Sequence, residues 1–254
     1  MVLFKKRNIL MKKFILIILL AFSISSCQCL LLKTFGVTKS ALKHKRVMVK
    51  GDREIIYIPM AHLGKQTYYD EVKAFVTEKR KQGYKIYYEA VLTDTVALRK
   101  GQLDTLRLKR RKLLGFHLSN YSDENNKSIP KCYKKYVGQT LDNTGVSQRT
   151  DTNADLRFEE IIARYEAKYG EIPLDECDYS TPLNAPYQCN PIPNVHRSNS
   201  KYRFTQEFRN EHLEKLLIHS KDKKILLLYG ESHWLQAIWP TLRNEGFQLV
   251  EGKI

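Results

Sequence analysis

The sequence has 254 residues, with 43 basic and 27 acidic side chains and a formal net charge of +16 at pH 7. Without an N-terminal targeting segment, about 228 residues remain, enough for one α/β domain with a substantial core. The basic excess is compatible with nucleic-acid binding, but the N-terminal export signal argues against that partner and favours anionic lipid headgroups or an acidic substrate. A basic solvated surface without a specific partner fits this charge equally well.

Residues 1–26 are organised like a bacterial lipoprotein signal peptide. Basic residues precede the apolar stretch FILIILLAFSI at 14–24, which is short for a membrane span, because a spanning helix needs about 20 apolar residues. The stretch leads into Ser25-Ser26-Cys27, which is typical of a lipobox with Cys27 as the lipidated first residue of the mature chain. The alternative is an ordinary signal peptide that contains a cysteine, and translation starts at either Met1 or Met11.

An export signal of this kind predicts a protein anchored by lipid in the bacterial cell envelope, at the outer membrane or cell surface. Residues 27–45 are then the lipidated cysteine and a tether, and removal of the five basic residues of the signal leaves a net charge of about +11. Export also permits disulfides. Cys177 and Cys189 flank a loop rich in proline and asparagine, so we predict a disulfide between them that lowers the loop's entropy. The spacing of the cysteines does not indicate a zinc site.

The predicted elements alternate between strands and helices along the chain. A strand at 53–62, a helix at 67–83 and a strand at 84–91 are followed by a basic helix at 95–117 and a polar, irregular stretch at 118–153. A helix at 155–170, a Pro/Asn-rich loop at 171–200 and a helix at 204–220 lead to a strand at 224–230. A helix at 234–247, interrupted or started at Pro240, and a final strand at 248–253 complete the pattern.

This alternation predicts an α/β fold for a single domain at 46–254, with a mostly parallel sheet flanked by helices. Two segments follow one plan: an apolar strand, a histidine, a helix, a glycine with an aromatic residue, and a strand that ends in Glu89 or Glu251. They predict two pseudosymmetric βαβ units, although units this generic also arise by chance. In the helix at 95–117, the basic run at 109–112 is compatible with anion binding, but we interpret it as a solvated helix face.

Candidate site residues follow the ends of the predicted strands. His62 and His233 each come just after a strand, and Glu89 lies near the end of the strand at 84–91. Because ligands bind beyond the carboxyl ends of parallel strands, these side chains are expected to converge in one cleft, as a divalent-metal site or a general acid–base site. A single histidine after a strand is more often an ordinary loop residue. Glu89 needs a partner within its apolar strand, and Glu231 is either a base beside His233 or a surface residue.

These motifs together resemble the TraB/PrgY/Tiki superfamily, which includes Tiki-type proteases and, more distantly, the ChaN haem-uptake proteins and the erythromycin esterases. The resemblance extends over much of 53–252 and rests on short motifs: GESH at 230–233, YYEA with Glu89, and PMAH at 59–62. Arg209-Asn210 resembles the family's arginine-containing helix, and Asp155 resembles an acidic position of its central segment. The chain departs from the pattern at Pro59, where the family has glycine.

The resemblance implies a metal-dependent hydrolase, a Tiki-like peptidase, with a divalent Mn, Co or Zn ion and a peptide or small-molecule substrate. His62, Glu89 and His233 are then the metal ligands, Glu89 or Glu231 is the base, and Arg209 stabilises negative charge with Asp155 in support. Because proline fixes φ and lacks an N–H, the loop before His62 is expected to differ, and the metal site is then altered or lost. The alternative is a non-catalytic surface lipoprotein that binds haem, another ligand or a partner protein in the same cleft.

Overall fold

A computed structural model describes residues 40–115, 135–183, 185–190 and 206–254. The predicted signal peptide, the lipidated Cys27 and the tether as far as residue 39 lie outside the described residues. The part of the tether that is described contains a short 3₁₀ turn at Leu42–His44, and Ala41 next to it is buried, with its N–H donating to Glu71 Oε2 at 2.9 Å. Among the residues described, no helix combines the length and the apolar character that crossing a membrane requires.

Eight strands and six α-helices position the site within the described residues. The strands are β1 (Arg46–Lys50), β2 (Arg53–Met60), β3 (Leu63–Gly64), β4 (Lys85–Tyr88), β5 (Val137–Gly138), β6 (Thr152–Asn153), β7 (Lys224–Gly230) and β8 (Gln248–Glu251). The helices are α1 (Gln66–Lys81), α2 (Lys100–Leu114), α3 (Phe158–Tyr169), α4 (Glu176–Ser180), α5 (Phe208–His219) and α6 (Trp239–Asn244). The predicted α/β class is confirmed.

Six of these strands form one mixed sheet in the order β6-β4-β7-β2-β1-β8. Neighbours among β6, β4, β7 and β2 pair in parallel, whereas β1 is antiparallel to both β2 and β8. The sheet is therefore mostly parallel, as predicted, and β4, β7 and β2 end at the same edge. β3 and β5 form a separate two-stranded ladder beyond the end of β2.

The sheet is covered on both faces because side chains alternate along each strand. In the central strand β7, Leu226 and Leu228 pack with the apolar side of α1, while Ile225 and Leu227 pack with α5 and α6 on the opposite face. All four leucine and isoleucine side chains are almost completely buried, which explains why β7 is a continuous apolar run rather than an alternating one. A third cluster joins α2, α3 and the start of α5.

The two predicted βαβ units occupy unequal places in the sheet. The first unit runs from β2 to β4 with only β7 between them, whereas the second runs from β7 to β8 with both β2 and β1 between them. Glu89 at the end of the first unit is buried, but Glu251 at the end of the second is exposed and forms an ion pair with Lys45. The strand order therefore does not reproduce a repeat of two equivalent units.

The basic run at 109–112 differs from its interpretation as a solvated helix face. Arg111 and Lys112 are almost completely buried, with 1% and 3% of their surface exposed. Arg111 donates hydrogen bonds to the carbonyl oxygens of Asp178, Thr181 and Pro182, and Lys112 lies 2.6 Å from the buried Asp178 carboxylate. The helix thus uses two cations to hold the segment around α4, which the sequence had placed in a loop.

The same segment contains the predicted crosslink. Cys177 and Cys189 form a disulfide, with Cα atoms 5.6 Å apart and a sequence separation of 12. Tyr187, inside the closed loop, donates to Asp178 at 2.6 Å and stacks under the Arg111 guanidinium. The disulfide and the buried ion pairs therefore hold one loop against α2.

Candidate functional site

The site is built around Glu89, the first residue after β4, at the edge where the parallel strands end. The Glu89 backbone N–H donates to the carbonyl of Leu228 on β7, and its carboxylate Oε2 accepts from the N–H of Gly230 at 2.6 Å. A Cβ on residue 230 would lie 3.0 Å from Oε2, which is closer than such contacts normally are. The glycine of the GESH motif thus lets the carboxylate pack directly against the backbone without displacement.

Arg209 on α5 joins the two buried acids of the site. Its guanidinium donates to Glu89 Oε1 and makes a two-pronged pair with Asp155, at 2.9 Å from Nε and 2.7 Å from one terminal nitrogen. The pKa of Arg209 is raised, since the hydrogen bonds and charge of Asp155 outweigh burial, the largest single influence. Burial acts to raise the pKa of Glu89, but the charge of Arg209 and its hydrogen bond bring it below its usual value. Glu89 is therefore an ionised carboxylate at neutral pH.

His233 lies directly behind Glu89 and is buried. Its Nδ1 is 2.5 Å from Asn210 Oδ1, and its Nε2 is 3.7 Å from Glu89 Oε1. With the Asn210 amide oxygen accepting from Nδ1–H, Nε2 carries the lone pair of the neutral ring. Burial lowers the pKa of His233 to about 4 despite the raising effect of Glu89. The ring is therefore neutral at pH 7.

A cleft of about 380 Å³ opens over this cluster. The charged and titratable groups that line it are His62, Glu89 and Arg209, and the remaining lining residues are Ala90, Val91, Gln139, Thr140 and Leu141. His62 is exposed on the cleft wall, and its carbonyl accepts from the N–H of Gln139 at 2.9 Å. Glu89 and Arg209 form the floor, so the structure brings three predicted residues together around one cleft, with His233 behind them and Asp155 in support.

Glu231 does not join this cluster. Its carboxylate is exposed and accepts two hydrogen bonds from Arg46, of 2.7 and 2.6 Å, and a longer one of 3.4 Å from the Tyr57 hydroxyl. Arg46 in turn stacks on the ring of Trp234, with 4.5 Å from its central carbon to the ring centre. Glu231 does not line the cleft, so Glu89 is the carboxylate in position to act as a base there.

The PMAH motif at 59–62 is built differently from the GESH motif at 230–233. Met60, rather than Pro59, is the residue opposite Gly230 in the parallel ladder, so PMAH is displaced by one residue relative to GESH. The end of β2 is fixed by tyrosines from α1: the Tyr68 hydroxyl donates to the carbonyl of Pro59 at 2.9 Å, and Tyr69 does so to the carbonyl of Ala61 at 2.8 Å. Proline is tolerated there because it lies near the end of the strand, beyond the residues that pair with β1.

Two residues near the cleft had no predicted role. Asn210 was noted only as the neighbour of Arg209, although it orients the buried His233 ring. Gln139 lies in the polar stretch at 118–153, where the sequence shows no periodicity that would bring it beside His62. The signal that could have identified Asn210 was its position next to Arg209 on one helix. The sequence contains no comparable signal for Gln139.

The predicted metal ligands do not form a metal centre within the residues that the structure describes, where no three His, Cys, Asp or Glu side chains are grouped to hold an ion. Both oxygens of Glu89 already accept hydrogen bonds, Oε1 from Arg209 and Oε2 from Gly230. The guanidinium supplies positive charge where a metal would otherwise supply it. The residues present thus fit a carboxylate–guanidinium pair and do not fit a three-ligand metal centre.

Comparison with family models, with curated proteins and with solved structures finds no match to this chain. The geometry of the cleft is therefore what bears on function.

Proposed function

We propose that the cleft is the active site of a hydrolase that cleaves peptide or amide bonds. The observation that carries this proposal is the ionised Glu89 carboxylate, buried on the cleft floor between Arg209 and the Gly230 N–H. A buried charge that faces a cleft and is held by a fixed partner is the type of group that catalytic sites use. The TraB/Tiki-like relationship belongs to the same proposal and is supported by the motifs that supply Glu89 and His233.

In this proposal Glu89 is the general base. A carboxylate has about four lone-pair positions, so Glu89 can bind a water in addition to its two present donors. The water oxygen attacks the substrate carbonyl carbon as its proton passes to Glu89, and Arg209 stabilises the negative charge that develops on the carbonyl oxygen. The carbon–nitrogen bond then breaks as the proton held by Glu89 passes to the leaving nitrogen, with His62 on the cleft wall in position to relay it, and the Glu89 carboxylate is restored. Arg209 and the Gly230 N–H keep the carboxylate oriented, and neutral His233 lies 3.7 Å behind it.

Replacing Glu89 with glutamine is expected to reduce hydrolysis of fluorescein-labelled casein by about 10²–10⁴-fold, the usual contribution of a general base. The measurement uses the purified full-length chain in detergent. Glu231→Gln is the matched control, because that carboxylate lies outside the cleft and is expected to leave the rate unchanged. Casein that stays intact with the wild-type chain, or an equal loss in both variants, would contradict the proposal.

The divalent Mn, Co or Zn ion that the resemblance implies remains a prediction. The metal content of the purified protein tests whether the ion is bound. Because the described residues fit an ion pair rather than a metal centre, we expect less than one equivalent of metal after purification in chelator-free buffer. Elemental analysis of the wild-type chain and of the His62→Ala, His233→Ala double variant makes the measurement. One bound ion in the wild type that the double variant lacks would restore the metal-dependent mechanism.

A non-catalytic lipoprotein that binds haem or another ligand in the same cleft is the second candidate. It is favoured by one observation: both oxygens of Glu89 have partners within the protein, as expected for a purely structural ion pair. Haem binding by the wild-type chain, followed by its absorption spectrum and unaffected by Glu89→Gln, together with uncleaved casein, would establish it.

We also propose that the protein is exported and anchored in the bacterial cell envelope through a lipid on Cys27. Replacing Cys27 with serine is expected to abolish incorporation of a clickable palmitate analogue and to release the chain from the membrane fraction. Cys29→Ser is the matched control, because it lies two residues further along and outside the lipobox. Labelling of Cys27→Ser at the level of the wild type would show that another residue carries the anchor.

A further inference from the structure

Gln139 stands out on the wall of the cleft because its side-chain amide oxygen is buried. The oxygen accepts no hydrogen bond from any group in the described part of the chain, although the side chain as a whole is partly exposed. Burying an amide oxygen without a donor is unfavourable, since its hydrogen bonds to water are lost. A ligand that brings a donor into the cleft would restore the missing bond.

The backbone that carries Gln139 is firmly held. Its N–H donates to the carbonyl of His62, and the two residues before it pair with β3 as strand β5. Asn143 ties both sides together, because its side-chain nitrogen donates to the carbonyl of Gly138 at 2.9 Å and its oxygen accepts from the N–H of Thr140 at 2.9 Å. A ligand in the cleft therefore meets the Gln139 side chain on a fixed support beside His62, and rotation of the side-chain amide about its last bond would turn the oxygen toward that ligand.

The chemistry of the cleft indicates which donor fits this oxygen. Glu89 and Arg209 already supply a negative and a positive group on the floor, whereas Gln139 is neutral and offers an acceptor. A neutral N–H, as in a secondary amide, suits such an acceptor. An ester or an N-methylated amide presents the same carbonyl without the N–H, so it would leave Gln139 without a donor.

We propose that Gln139 is a substrate-positioning residue that accepts a hydrogen bond from a substrate N–H, so that the cleft selects secondary amides over esters and N-methylated amides. This inference rests on the proposed hydrolase and specifies its substrate. A site built to bond a substrate group discriminates against analogues that lack it, because the site's own polar group is left unpaired.

The first test compares a peptide cleaved from casein, once mapped, with analogues in which single peptide N–H groups are replaced by an ester oxygen or an N-methyl group. In the wild-type chain, one of these replacements is expected to lower kcat/KM by about two- to tenfold, the effect of one hydrogen bond. Gln139→Leu should abolish this difference, and Gln139→Glu, which keeps an acceptor, should restore it. Gln148→Leu changes an exposed glutamine that lines a different cavity and should leave the difference intact. A difference that survives in Gln139→Leu would overturn the inference.

The second test does not depend on hydrolysis, so the two proposals can fail separately. The side-chain amide signal of Gln139, identified by its absence in Gln139→Leu, is followed by NMR during titration with N-methylacetamide and with N,N-dimethylacetamide. A shift with the first compound alone supports the inference even if casein stays uncleaved. Equal shifts with both compounds, or none with either, overturn it even if the chain is a hydrolase.

Discussion

Arg209→Met is expected to lower the free energy of unfolding by about 3–5 kcal/mol, the usual cost of removing one partner from a buried ion pair. Arg209 is the cation shared by Glu89 and Asp155, so its loss leaves two buried carboxylates that repel each other. Urea unfolding at pH 7.5 measures the change. Adding Glu89→Gln to this variant should recover part of the loss, because only one buried charge then lacks its partner.

Two further variants test whether this loss of stability comes from the ion pairs of Arg209. Arg107→Met removes an exposed arginine that pairs with Asp104 on the same helix, and it should change stability by no more than about 0.5 kcal/mol. Arg209→Lys keeps the charge but lacks the planar fork that binds Asp155 through two nitrogens, so it should fall between the wild type and Arg209→Met. If Arg209→Met were no less stable than Arg107→Met, the ion-pair network would not be what stabilises the site.

The second large effect is a loss of stability on acidification caused by His233. Its folded pKa is about 4, whereas the ordinary value is 6.5. Between these values the unfolded chain binds a proton on this ring and the folded chain does not, so stability falls as the pH is lowered. The difference corresponds to about 3 kcal/mol between pH 7.5 and pH 4. Urea unfolding at several pH values across this range measures it.

A matched pair of histidine variants isolates this contribution. His233→Gln should unfold with a shallower pH dependence than the wild type, whereas His219→Gln, which removes an exposed histidine, should follow the wild type. Glu89 adds a loss of stability in the same direction at lower pH. Because the folded state lowers the pKa of Glu89, its contribution to stability is complete above the ordinary pKa and disappears as the pH falls through the lowered pKa. Identical pH profiles for the wild type and His233→Gln would show that the ring is not held neutral.

The sheet was predictable where strands are apolar and central. The strand at 224–230 is observed with the same bounds because every residue after Lys224 is buried, and a continuous apolar run of that length has few alternatives. Strand β1 escaped prediction because five residues with a basic residue at each end have little periodicity. The helix predicted at 234–247 begins at Trp234 as a π-helix and continues as an α-helix from Trp239 to Asn244, with Pro240 in the first α-helical turn, where proline is best accommodated.

The site was predictable where the sequence places a charged residue in a segment that is otherwise apolar and therefore buried. A glutamate in the apolar strand YYEA required a partner, and the structure supplies Arg209 for Glu89. Position alone could not separate Glu89 from Glu231, because the partner of Glu231 is Arg46, a residue 185 positions earlier in the sequence. Buried cations are similarly hard to foresee: Arg111 and Lys112 look like surface residues until the loop around Asp178 closes over them.

The position of β1 between β2 and β8 has a consequence for how the chain is made. β1 opens the sheet in sequence order, yet one of its two edges is completed only by residues 248–251, about 200 positions later. Contacts so far apart in sequence slow folding, because a long loop must close before they form. A nascent chain therefore holds β1 with an open edge until residues 248–251 have been made, so the sheet is completed only when these residues pair with β1. Deleting residues 248–251 would leave this edge of β1 without its partner strand.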